Sequence, residues 1–228
     1  MTNIPRLFVI GLLAQLGFSS LYALDLEDQF ELKGRPEGTL LDSSNAGNSP
    51  LKWIASSNLR LTGSGCVVFA DAGSGIAKVP IEGGSNVVTV SARLWPRTIE
   101  SGKNTWLAVG VGNPAETRKD VTWSNGLFLL VNTSGYFQCF VSDASGKMTK
   151  LAEGAVSDFR PADFNEARLE YRRQENTLAL YLNGTAFPRQ IDLSDNGGKI
   201  NPAWAGISGG GQPSNQPSIA NFVLKTKQ

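Results

Sequence analysis

The 228-residue chain sets 21 Lys and Arg against 20 Asp and Glu, with no His. At 41% hydrophobic and 18% charged it can bury a core, and the balanced charge excludes the dense basic surface that a nucleic-acid partner requires. Without imidazole there is no Ser-His-Asp triad, no Cys-His pair, no His-ligated zinc and no His general base.

The first 23 residues stand apart. Arg6 is their one charged side chain, an apolar run from Leu7 to Phe18 follows, and Ser19-Ser20-Leu21-Tyr22-Ala23 ends on a small residue. That order predicts a secretory signal peptide over 1–23, cleaved after Ala23. A membrane anchor wants about 20 uninterrupted apolar residues, and Gln15, Ser19 and Ser20 break this run. No later stretch is long enough, so no membrane span is expected after cleavage. The expected product is a single domain over 24–228, secreted or periplasmic. Such a compartment permits a disulfide between Cys66 and Cys139. The alternative is two separate buried thiols, because both lie in apolar strand-like runs where a thiol behaves as a small hydrophobe.

From residue 87 onward nearly every patterned segment alternates with period 2. Val88, Val90, Ala92 and Leu94 share one face, then Leu107, Val109 and Val111, then Leu127, Leu129 and Val131. Phe137, Cys139 and Val141 follow, then Ala167, Leu169 and Tyr171, then Leu178, Leu180 and Leu182, and a last run covers Ile219 to Leu224. Turn signals such as Ser124-Asn125-Gly126, Thr133-Ser134-Gly135 and Asn183-Gly184 separate them. Short strands at that spacing, with no amphipathic helix, predict one all-β domain: a two-sheet antiparallel sandwich. The Gly-, Ser- and Asn-rich stretches at 42–49 and 208–216 read as surface loops. Trp53 and Trp204 flank apolar residues and read as core.

The strand–turn–strand at Glu166–Arg172 and Leu178–Gly184, the Asn104-Thr105-Trp106-Leu107-Ala108-Val109-Gly110-Val111-Gly112 run and the closing Ile219-Ala220-Asn221-Phe222-Val223-Leu224 together resemble the laminin-G-like jelly rolls of the concanavalin A-like lectin/glucanase superfamily. The resemblance implies a jelly roll whose closing strand returns beside a first strand near Leu26 to Leu32. Many relatives carry an Asp before the Asn-Phe pair, where this chain has Ala220. The superfamily holds binding modules and enzymes alike, so fold does not decide function. Its hydrolases carry a Glu-x-Asp-x-x-Glu or Glu-x-Asp-x-Glu strand and its alginate lyases a Gln-x-His strand; neither is present here.

Opposite the core positions lie Arg93 and Trp95, then Trp106, Ala108 and Gly110, then Phe128, Leu130 and Asn132, then Tyr136, Gln138 and Phe140. If these strands are neighbours, the set lines one face of one sheet. Rings beside a few polar groups suit a sugar's apolar faces and hydroxyl edges. The expected ligand-binding residues are therefore Arg93, Trp95, Trp106, Phe128, Asn132, Tyr136 and Gln138 on a concave face, with Trp123 at a loop tip. The alternative is that these aromatics pack a second small core or lie under loops. A structural calcium would draw on Asp25, Glu27 and Asp28, or on Asp192, Asp195 and Asn196; the alternative for each is a solvated acidic loop. The expected function is an exported, non-catalytic carbohydrate-binding or adhesion-type module whose partner is a polysaccharide or glycoconjugate. The alternatives are a glycan-active hydrolase or lyase using Glu170, Asp120 and Tyr136, and a structural cell-surface protein that binds other proteins.

Overall fold

Alternation of apolar and polar residues lets a strand bury one face and solvate the other, and two such sheets close over a common core. The computed structural model describes residues 24–71, 73–81, 84–97, 105–113, 126–194, 199–211 and 216–228 and shows that arrangement, with no helix among them. Strands are numbered along the chain. The first sheet runs β13 (Thr185–Ala186), β12 (Thr177–Leu182), β11 (Asn165–Arg172), β6 (Val87–Trp95), β16 (Ser218–Lys227), β4 (Val67–Phe69) and β3 (Leu59–Leu61). On it, β1 (Asp25–Asp28) pairs with β16, and β14 (Ile191–Asp192) with β12. The second sheet runs β10 (Met148–Ala155), β9 (Tyr136–Ser142), β8 (Gly126–Asn132), β7 (Trp106–Gly112), β15 (Trp204–Gly211), β5 (Gly73–Pro80) and β2 (Ile54–Ala55). All pairings are antiparallel, and the chain has the two-sheet jelly-roll architecture expected of it.

The core lies between the sheets and contains the alternating positions read from the sequence, including Val88, Val90, Leu94, Leu107, Val109, Leu129, Leu169 and Leu180. The closing strand does return beside the first: Asp25 faces Lys225 and Asp28 faces Phe222. The Asn183-Gly184 hairpin turn has φ of 49° and 80°, which its Asn-Gly sequence supplies at little cost. The stretch 208–216 is in part a strand rather than a loop, because residues 208–211 complete β15. β10 is an edge strand of mixed polarity, protected by a register shift between Lys150 and Ala152 and by exposed charges.

One buried carboxylate ties the first strand to the rest. Asp28, 5% exposed, accepts from the Phe30 backbone N–H and the Trp53 indole N–H, both at 2.8 Å. The Trp53 ring in turn packs against Phe30 at 5.8 Å and edge-on against Phe222 at 5.0 Å. Asp28 therefore faces inward as a hydrogen-bond acceptor, while Asp25 lies outside, 3.4 Å from Lys225. The acidic cluster at 25–28 is split between two faces and does not form a cation cage. Among the described residues no group of three or more Cys, Asp and Glu could hold a metal ion.

The two thiols are free and buried. Cys66 precedes β4, which packs over β15; Cys139 lies on β9, three strands away in the second sheet. Three strand spacings are about 14 Å, against a limit of about 7 Å between bridged Cα atoms. The bridge allowed by the sequence is therefore not formed. Burial pushes the Cys139 thiol far up, so it stays protonated.

Two outcomes follow. In urea denaturation, Asp28→Ala lowers stability by about 3 kcal/mol, because it strands two buried N–H groups; Trp53→Phe costs less, since ring packing persists. Reductant leaves the melting temperature of the native protein unchanged in calorimetry, and Cys139 reacts with a thiol reagent only after unfolding.

Candidate functional site

The outer face of the second sheet is built in registered rows. One row runs Asn132, Trp106, Gly210 and Ser74 across four strands. The next runs Glu153, Gln138, Leu130, Ala108, Ser208 and Ile76. A third runs Lys150, Phe140, Phe128, Gly110, Gly206 and Lys78, and Gly126, Gly112 and Trp204 belong to a fourth. The centre of this face is thus floored by small residues, and rings rest on backbone. A Cβ on Gly112 would lie 2.0 Å from Cζ2 of Trp204, and one on Gly210 would lie 2.9 Å from Nε1 of Trp106 and 3.0 Å from the Ser74 hydroxyl.

The face has a buried end and an open end. Ile76, Ala108, Phe128 and Trp204 form a second small apolar cluster, against which Trp106, Leu130 and Phe140 pack partly exposed. Phe128 stacks on Phe140 at 5.3 Å and 23°. Lys78, 3% exposed, holds its ammonium 5.5 Å from the Trp204 ring centre. The Ser208 hydroxyl, between Ala108 and Ile76, is buried with no hydrogen-bond partner. Tyr136, 39% exposed, and half-buried Gln138 and Trp106 mark the open end. Gln138 donates to Glu153 at 3.3 Å, and Lys150 lies 2.7 Å from the same carboxyl. The Lys150 hydrogen bond, with Gln138 adding to it, holds the Glu153 carboxyl below the usual range.

The structure divides the expected site residues. Trp106, Phe128, Tyr136 and Gln138 share this face, but Phe128 is buried in the second cluster rather than offered to a ligand. Asn132 is spent on its hairpin: its Oδ1 accepts from Ser134 N, Ser134 Oγ and Tyr136 N at 3.1, 2.7 and 3.0 Å. Arg93 and Trp95 lie on β6 and so on the outer face of the other sheet, because β6 and β7 follow one another in sequence without pairing. Trp123, Asp120, Asp195 and Asn196 lie outside the described residues. Glu170 is on the first sheet, 2.8 Å from the Arg172 guanidinium, and so is on the opposite side of the molecule from Tyr136. Trp53 is core, as read; Trp204 is buried too, but on the outer face. Lys78 and Ser208 escaped the sequence reading, and Trp204 was placed in the core rather than on this face. The alternation Trp204, Gly206, Ser208, Gly210 against Ala205 and Ile207 carried the signal for this strand, and its glycines resembled a loop.

No family model matches the chain, and no curated protein does. Solved structures do. The chain is similar to the carbohydrate recognition domain of Emp46p in its potassium-bound form, with a TM-score of 0.60 and 16% identity over 75% of this chain and 87% of that one. It is similar to the carbohydrate recognition domain of Emp47p, with a TM-score of 0.59 and 13% identity over 84% and 94%. Lectin II from Ulex europaeus gives a TM-score of 0.55 and 10% identity over 90% and 99%. At such identities the likeness establishes the fold, and the fold is the concanavalin A-like jelly roll.

Because a Cβ at residue 112 displaces the Trp204 ring, Gly112→Ala lowers stability by about 1–3 kcal/mol in chemical denaturation. Gly184→Ala has open space around it and strains only a turn, so it costs about 1 kcal/mol.

Proposed function

We propose that this concanavalin A-like jelly roll is an exported, non-catalytic carbohydrate-binding module that takes a polysaccharide or glycoconjugate on the outer face of its second sheet. One observation carries the reading: the open end of that face sets Trp106 over the Gly210 backbone, with Leu130 on the neighbouring strand and Gln138 and Tyr136 on the strand beyond. A pyranose offers an apolar C–H face to such a ring and hydroxyls to such an amide and phenol. Lys150 and Glu153 on the β10 edge supply a charged rim. The solved structures of similar fold include carbohydrate recognition domains and a lectin, which supports the same reading. Of the catalytic candidates, Glu170 and Tyr136 stand on opposite sheets, and Asp120 lies outside the described residues.

Export rests on the basic, apolar and small order of residues 1–23, with 24–228 as the mature domain. Among the described residues no helix is long and apolar enough to cross a membrane. A structural calcium belongs to this proposal only at Asp192, Asp195 and Asn196, since the 25–28 cluster is split. Asp192 itself accepts from the Ser194 N–H at 2.8 Å, which holds its carboxyl below the usual range.

The test is a glycan array probed with the purified protein, with calcium and then with chelator. The expected result is a specific glycan hit that Trp106→Ala weakens at least about tenfold, the loss of about 1.4 kcal/mol of stacking. Loss of the hit with chelator shows that binding depends on a divalent cation. A blank array overturns the reading and makes a protein partner the leading one. Separately, N-terminal sequencing of the exported protein is expected to begin at Leu24.

A further inference from the structure

We propose a second ligand site, for a sugar residue bearing a carboxylate, on the first sheet where β16 changes neighbours. One flank of β16 pairs with β6 along its length. On the other flank Ser218 and Ile219 pair with β4, and Phe222 to Lys225 pair with β1. On that flank, between those partners, Ala220 and Asn221 face no strand among the described residues, the register against β6 slips between Ala220 and Val223, and Asn221 takes a φ of 48°. A groove of about 520 Å³ opens at this gap, lined by Arg93, Phe164, Gln29, Glu31, Cys66 and Asn221.

Three features fit it to a ligand. The Arg93 guanidinium stands 4.9 Å from the Phe164 ring centre, and Phe164 lies edge-on to Trp95 at 5.6 Å. Trp95 is fixed in turn by the Arg97 guanidinium at 3.9 Å and by its indole N–H donating to Pro161 O at 3.3 Å. This ladder orients the Arg93 fork without using its N–H groups. Asn221 supplies the second feature. Asn tolerates a positive φ, which accounts for the residue type, but its Oδ1 is buried with no hydrogen-bond partner among the described residues. Strain and an unsatisfied group at one position are features that gather at binding sites. The third feature is Glu31, whose carboxylate lines the same groove and can accept hydroxyl donors.

Together these select among anions. A carboxylate meets the Arg93 fork with two parallel hydrogen bonds. Glu31 repels a dianion such as phosphate but welcomes hydroxyls, and Phe164 offers an apolar wall. A uronic acid satisfies all three, with its carboxylate at Arg93, its hydroxyls at Glu31 and its C–H face against the Phe164 ring. The groove lies on the other outer face from Trp106, so this inference does not rest on the reading of the second sheet.

The experiment is a ¹⁵N NMR titration of the purified protein with galacturonic acid, galactose and sodium acetate. The amides of Gly65, Cys66, Arg93 and Asn221 are expected to shift with galacturonic acid, at an affinity at least about tenfold above that for either other probe. Arg93→Gln, an exposed substitution, is expected to abolish the preference over galactose, and Trp106→Ala to leave it intact. Silence at these amides, equal affinity for galactose or acetate, or an undiminished preference in Arg93→Gln overturns the proposal. A galacturonate response lost in Trp106→Ala but kept in Arg93→Gln also overturns it, while leaving the aromatic face of the second sheet as the sugar site.

Discussion

A single carboxylate organises the edge where this sandwich closes. Asp28 is nearly dry, and it accepts from the Trp53 indole and the Phe30 amide. A buried anion is tolerated only when its lone pairs are met, so the positions of both donors are dictated by it. Trp53 is thereby held on Phe222, the residue beside the β16 bulge. Phe30 is held at a φ of 54°, which turns the chain after β1 and carries Gln29 and Glu31 to the groove beside Asn221. The first strand, the bulge and one wall of the groove all follow from this one contact set.

The two outer faces solve the same problem in different ways. An aromatic ring on a sheet surface needs something to lie on. On the second sheet the ring lies on backbone, Trp204 over Gly112 and Trp106 over Gly210, with a single cation, Lys78, beside Trp204 among the described residues. On the first sheet it lies beside a cation: Arg97 with Trp95, Arg93 with Phe164, and Arg168 with Tyr181 at 3.7 Å. The first arrangement makes a low, apolar floor. The second makes an upright array of rings and positive charge, and it favours partners that carry negative charge.

Much of the sandwich was legible because burial on one face imposes period 2, and strands β6, β7, β8, β9, β11, β12 and β16 show it plainly. The rest was hidden for separate reasons. β10 is an edge strand that buries little, so Met148-Thr149-Lys150 carries no apolar stripe. β15 puts Gly206, Ser208 and Gly210 outward because rings need the space, and such a composition imitates a loop. Sheet membership was hidden altogether. Alternation fixes which residues of β6 point out, but not which strand lies beside it, since pairing is non-local and β6 and β7 belong to different sheets. That is why Arg93 and Trp95 were grouped with Trp106. Asn132 misled for another reason: the side chain that suits a sugar hydroxyl suits a tight turn equally well.

β16 is the last described strand in chain order, yet β1 has no other neighbour in its sheet and β6 has β16 along one whole side. Residues before 218 can gather a partial core during synthesis but cannot complete the first sheet. The closing pairing joins positions as distant as Asp25 and Lys225, so its loop-closure entropy must be met before the contacts of the first sheet reward it. Until then the flanks of β1, β4 and β6 remain open strand edges, which other chains can pair with.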